Sequence, residues 1–173
     1  MNSLLKVSLR YGVLAGVIGA GLLFTLYAID RHPFLIPVYL DFRIILFAVF
    51  IFFALREFRD YYQNGVLYFW QGFIASFIFT VCYALIASAA VIVFIYFVPE
   101  FLSEYIRLET VQLRSLTPEV IETIGKDVYE RNLELLPSTT GVTLGFTYLV
   151  QSFLISFFIS VILSVTLRRQ PQT

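Results

Sequence analysis

Apolar residues gather in four long runs, at residues 11–29, 40–55, 66–98 and 144–167. Short polar stretches separate the first three, and one long polar interruption precedes the last. Crossing a hydrocarbon core takes roughly 20 helical residues. The second run is short, so its helix is predicted to continue through the following charges to about residue 60. The third exceeds the need and is expected to tilt or project. The pattern predicts an all-α integral membrane protein. It is a single domain over 1–173, with transmembrane helices at about 11–29, 40–60, 66–98 and 144–167.

The interruption reads as an extracytoplasmic amphipathic helical hairpin at residues 100–137. Glu100, Glu104, Arg107 and Arg114 share one helical face, opposite Phe101, Leu102, Tyr105, Ile106 and Leu113. Thr117-Pro118-Glu119 predicts a helix start: a hydroxyl cap, a proline at the first position, an acid in the first turn. Glu119, Glu122, Lys126, Glu130 and Glu134 then form a solvated stripe. Val120, Ile121, Ile124 and Val128 face away from it. Gly125 interrupts this pattern, at about 1 kcal/mol relative to Ala. Two such helices cannot bury a core alone. Their apolar faces, with Phe101, Tyr105, Ile121, Ile124 and Val128 as candidate contacts, are expected to meet each other or another chain. Lying flat on lipid is disfavoured, because interfacial helices carry Lys and Arg on the polar face and this one is mostly acid.

Within the apolar runs, small residues recur every fourth position. The first has Gly12, Gly16 and Ala20. The third has Gly72, Ser76, Thr80, Ala84 and Ser88, and the fourth has Ser152, Ser156, Ser160 and Ser164. A four-residue step returns each side chain to nearly the same face, and small residues let helices approach closely in lipid. The second run has no such stripe and is bulky at Phe42, Phe47, Phe50, Phe52 and Phe53. Helices one, three and four are therefore expected to form the packed centre, with helix two more exposed to lipid. A polar path along the serines is the competing expectation.

Composition supports the membrane reading: 59% of residues are hydrophobic, 14% charged, and mean hydropathy is +0.83. A soluble chain of 173 residues could not cover that much apolar surface. The zero formal charge argues against nucleic acid, and the single Cys82 against an intrachain disulfide. The apolar run after Lys6 and Arg10 is longer than a signal-peptide core and lacks an A-x-A site, so a retained helix is expected. Lys and Arg set the orientation. Residues 1–10, 56–65 and 168–173 hold six of the twelve, in a much shorter total length than the segments holding the rest. That density predicts both termini in the cytoplasm and location in the cell (inner) membrane.

The stretch "REFRDYYQNG" carries four charges in five positions. It reads as the solvated end of the second helix, with Arg56 and Asp60 pairing four residues apart and Gly65 closing the end. Tyr61, Tyr62, Tyr68, Phe69 and Trp70 suit headgroup depth. Arg56, Glu57, Arg59, Asp60 and Tyr61 are also candidate contacts for lipid headgroups or a partner. Together with "LLKVSLRYGVLAG" and "VILSVTLRR", this stretch resembles a family of small bacterial membrane proteins, domain of unknown function 4199, common in Bacteroidota. The resemblance covers essentially the whole chain. It implies a four-helix membrane arrangement and no established activity.

Chemistry is sparse. His32 stands alone beside Pro33, with no H-E-x-x-H, G-x-S-x-G or paired cysteines. The membrane serines have no neighbouring base, and "GVIGAG" lies inside a helix rather than after a strand. The outer carboxylates are expected on solvated faces, and Asp41 and Arg43 near the outer surface, where they can snorkel or pair. No enzyme activity, cofactor or metal is expected. Elimination leaves a structural or interaction subunit, embedded in the lipid bilayer, whose acidic insert binds a second copy or another envelope protein. The alternative is a small oligomeric transporter or channel subunit.

Overall fold

The computed structural model describes residues 3–170. Seven helices follow in order: α1 (Ser3–Ala28), α2 (Phe42–Glu57), α3 (Phe69–Phe97), α4 (Pro99–Arg114), α5 (Pro118–Ile124), α6 (Lys126–Leu135) and α7 (Gly141–Thr166). No strand forms among the described residues. By length and composition α1, α3 and α7 can each cross a membrane, which makes this a membrane protein. α2, with 16 residues, is shorter.

α3 lies between α1 and α7, and α2 packs across α1 and α7. Small residues let the backbones approach. A Cβ added at Gly12 would stand 2.8 Å from Cβ of Cys82, and one at Gly16 3.0 Å from Ile86. On the other side of α3, Ser76 and Thr80 are buried with Ser152, Ser156 and Ser160 of α7. Thr80 and Ser156 hydrogen-bond across this seam. At Gly145 a Cβ would meet Ile92 at 2.6 Å. The hydroxyls also bond back along their own helices, Ser76 to the Gly72 carbonyl and Thr80 to that of Ser76. Ser76, Thr80, Ser152 and Ser156 thereby find partners without solvent, whereas the buried Ser164 hydroxyl has none.

The expectation that helix two faces lipid is corrected. Phe47, Ile51 and Leu55, at four-residue steps, are fully buried, and Phe50 meets the edge of Tyr11. Phe53, on the opposite face, is half exposed. α2 therefore joins the packed centre by bulk where the other helices join by small size. Tyr83 of α3 binds all four: it touches Phe47 edge-on at 4.6 Å, bonds the Tyr148 hydroxyl at 2.9 Å and packs where Gly19 leaves room.

The two ends of this bundle differ. At the base, α2 passes into a π-helical turn, Phe58–Tyr62, and Asn64 and Gly65 reverse the chain at positive φ. Leu67 and Arg169 then exchange two backbone hydrogen bonds, of 2.9 and 3.0 Å. At the head, Val98 leaves the helical region, as the residue before a proline tends to, so α4 leaves α3 at a bend. The predicted two-helix hairpin is in fact three helices. Gly125 at φ 96° separates α5 from α6, a conformation that L side chains rarely adopt. Thr117 precedes α5, although its hydroxyl makes no cap bond.

Candidate functional site

Polar side chains collect at three places. The deepest surrounds Arg43, in the first turn of α2 and only 5% exposed. Asp41 caps that helix by accepting from the Arg43 amide at 2.9 Å, and its carboxylate also takes the guanidinium. The remaining guanidinium donors reach the Tyr148 carbonyl at 3.3 Å, the Ser152 hydroxyl at 3.2 Å and the Gln151 side-chain oxygen at 3.0 Å. The guanidinium also stacks 4.3 Å over the Tyr148 ring. Ser152 lies eleven residues into α7, about 16 Å from its start at 1.5 Å per residue. Arg43 thus reaches several turns along α7 to join the serine stripe, while pairing with Asp41. An arginine has five N–H donors, and here each is engaged. The pair is closed, with no donor free for a ligand. A small cavity of about 150 Å³ beside it is lined by Asp41, Arg43 and Gln151 among apolar neighbours.

The second place is the base. Glu57 was expected to be solvated, yet it ties α2 to α1: Arg10 pairs with it and the Tyr11 hydroxyl donates at 2.9 Å. Phe58 is buried. Arg59 is largely covered and paired to Asp60 at 2.7 Å, while Arg56 reaches Asp60 at 3.6 Å. Arg59 holds the Asp60 carboxyl below its ordinary range. Arg56, Asp60 and Tyr61 remain exposed. The stretches around Arg10, Glu57 and Arg169 therefore converge on one end of the bundle, and what they share there is ion pairing and backbone closure.

The third place is the head. Phe101 is fully buried, against Tyr27, His32 and Phe94, so it is corrected from a partner contact to a core residue. His32 is likewise no free loop residue. Its Nε2 lies 3.1 Å from the Phe101 carbonyl, which can only accept, so Nε2 carries the proton. Nδ1 is then a buried lone pair with no partner. Burial pushes the imidazole below its ordinary range. Tyr105 is half-buried against His32 and Phe34, and burial pushes its hydroxyl up to about 12. The expectation that the outer carboxylates lie on solvated faces fails at Glu109, which is half-buried and whose pKa burial raises. Farther out, Ile121 is half-buried, whereas Val120, Ile124 and Val128 are 41%, 45% and 50% exposed.

Sequence reasoning passed over Glu109 and the reach of Arg43. Glu109 had a signal: it occupies the apolar row of α4 at four-residue spacing from Tyr105 and Leu113. The reach of Arg43 had none, because its partners on α7 lie more than a hundred residues away. Among the described residues no group of three His, Cys, Asp or Glu side chains is placed to hold a metal.

These features define an all-helical membrane protein in which Arg43 and Glu57 are paired and whose head is a set of amphipathic helices. The chain belongs to the DUF4199 family, described as a protein of unknown function, whose model matches residues 10–169. No curated protein and no solved structure matches the chain.

Proposed function

We propose that the protein is an interaction subunit of the cell membrane, with no enzymatic activity, whose head recognises another envelope protein. In this reading α1, α2, α3 and α7 all span the bilayer, both termini are cytoplasmic, and α4–α6 stand outside. One observation carries it. α4 spends its apolar face on the bundle, whereas Val120, Ile124 and Val128 of α5 and α6 keep theirs exposed. An ordered connection of this length between two neighbouring helices is usually functional.

Charge selects the occupant. Residues 100–134 carry eight acidic and four basic side chains, so a second copy would bring like charge to the contact. A partner with a basic rim around an apolar patch is complementary. The alternative, a small oligomeric carrier, draws on the Arg43–Asp41 pair within the span. The saturation of every Arg43 donor counts against it. Photo-reactive residues at Ile124 and Val128 in native membranes are expected to capture a distinct envelope protein, while one at Tyr61 is not. Capture of the chain itself would instead mark a homo-oligomer, and equal capture at all three positions would refute a specific face.

A further inference from the structure

The row Phe101, Tyr105, Glu109, Leu113 advances by four residues at each step, so all four lie near one face of α4. Three suit the apolar side of an amphipathic helix, and the carboxylate between them does not. Glu109 is half-buried and has no ion-pair or hydrogen-bond partner among the described residues. The arginine two positions before it, Arg107, is turned to Glu104 at 3.8 Å. A carboxylate that loses water without gaining a partner is unfavourable for folding, and burial accordingly raises its pKa.

Glu109 opens into a cavity of about 440 Å³ between α4, the end of α6 and the first turn of α7. That volume lies within the roughly 300–1,000 Å³ of small-molecule sites. Leu113 and Leu136 supply apolar wall. Tyr105 and Asn132 supply oxygens that no protein donor uses among the described residues. Thr143, at the start of α7, places the mouth where that helix begins.

We propose that this cavity binds a protonated primary amine carried on a short apolar body, with Glu109 as its counter-ion. The chemistry narrows the class. An ammonium has three N–H donors, and the Glu109 carboxylate, the Tyr105 hydroxyl and the Asn132 amide oxygen supply three kinds of acceptor. Calcium takes six to eight oxygens, several of them carboxylate in its dedicated loops, and this cavity offers a single carboxylate. An anion would be repelled, and a neutral ligand would leave the carboxylate uncompensated. The amine can belong to a soluble molecule or to the headgroup of an ethanolamine phospholipid, because the cavity opens beside a spanning helix. The proposal does not rest on a partner at Val120, Ile124 and Val128, although Asn132 belongs to the same α6.

The full chain in phosphatidylglycerol nanodiscs is titrated with benzylamine and, as its neutral counterpart, benzyl alcohol. Benzylamine is expected to bind saturably and benzyl alcohol not. Glu109→Gln is expected to weaken benzylamine by about tenfold or more, as loss of a charged hydrogen bond does. Should Glu109→Gln fail to fold, Asn132→Leu at the exposed end of α6 tests the same cavity. Retention of phosphatidylethanolamine in native mass spectrometry, displaced by benzylamine and lost in the variant, assigns the lipid as source. Benzylamine binding without such retention assigns a soluble amine. No saturable benzylamine binding, or equal binding of the alcohol or by the variants, overturns the proposal.

Discussion

Arg43→Met is the most demanding test of the packed centre. The substitution keeps an unbranched chain of similar length and removes five donors at once. It strands the Asp41 carboxylate, whose side chain is 11% exposed, together with the Gln151 and Ser152 oxygens. Removing one partner of a buried ion pair costs about 3–5 kcal/mol. Asp41→Asn leaves the converse, a buried guanidinium with half its acceptors. The double variant retains neither charge, so its cost is expected to fall below the sum of the singles by about 2–3 kcal/mol. Arg43→Lys keeps the charge but loses the planar fork and is expected to lie between wild type and Arg43→Met. Denaturant unfolding in detergent, followed by tryptophan fluorescence, measures all four. A single-variant cost under about 1 kcal/mol, or strict additivity in the cycle, would show that Arg43 reaches water and would refute the closed pair.

Phe47→Ala is expected to cost about 3 kcal/mol or more in the same unfolding assay, and Phe53→Ala close to nothing; equal costs would restore a lipid-facing α2. Gly12→Ala and Gly145→Ala force a Cβ into contacts of 2.8 and 2.6 Å, so each is expected to destabilise by about 1–3 kcal/mol. Gly21, with nothing within 4 Å of its added Cβ, is expected to gain up to about 1 kcal/mol as Ala. Cysteines at Ser138 and Gln63 test orientation in spheroplasts: an impermeant thiol reagent is expected to label the first and spare the second. The His32 imidazole, below its ordinary range and facing Tyr27, Tyr105 and the charge of Glu104, holds fewer protons folded than unfolded. Its contribution is present above the unfolded value near 6.5 and is lost as pH falls through the folded one. The protection of α4 amides against hydrogen exchange, corrected for the intrinsic pH dependence of exchange, is expected to fall as pH drops below the unfolded value, and not in His32→Phe.

The long apolar helices α1, α3 and α7 and the small-residue stripes were legible in the sequence because each leaves a local, periodic mark. Ser76, Thr80 and Ser156 are small at every fourth position whatever their partner, and Gly125 announces its break by composition. The role of α2 was not legible. Its two faces are equally bulky, so Phe47 and Phe53 look alike until a neighbour covers one of them. Glu57 read as solvated because the residues that claim it, Arg10 and Tyr11, are a whole helical hairpin away. Phe101 read as a contact because amphipathicity reports which face is apolar and not what that face meets. Buried charge was the hardest to foresee, since its cost is offset only by partners from other helices.

The hydrogen-bonded pair at Leu67 and Arg169 bears on the order in which the molecule is assembled. α1, α2 and α3 emerge from the ribosome with Glu57 already able to hold Arg10, so the first half can settle early. Leu67, buried and half of the only backbone bridge among the described residues, must wait until α3 through α7 have all been made. The serine seam and the Arg43 acceptors also arrive only with α7. Until that helix is made, α3 leaves a face of small hydroxyls uncovered and α2 an arginine whose acceptors on α7 are missing. The half-made molecule thus differs from the finished one in the polar groups it leaves uncovered, and closure of the base marks completion.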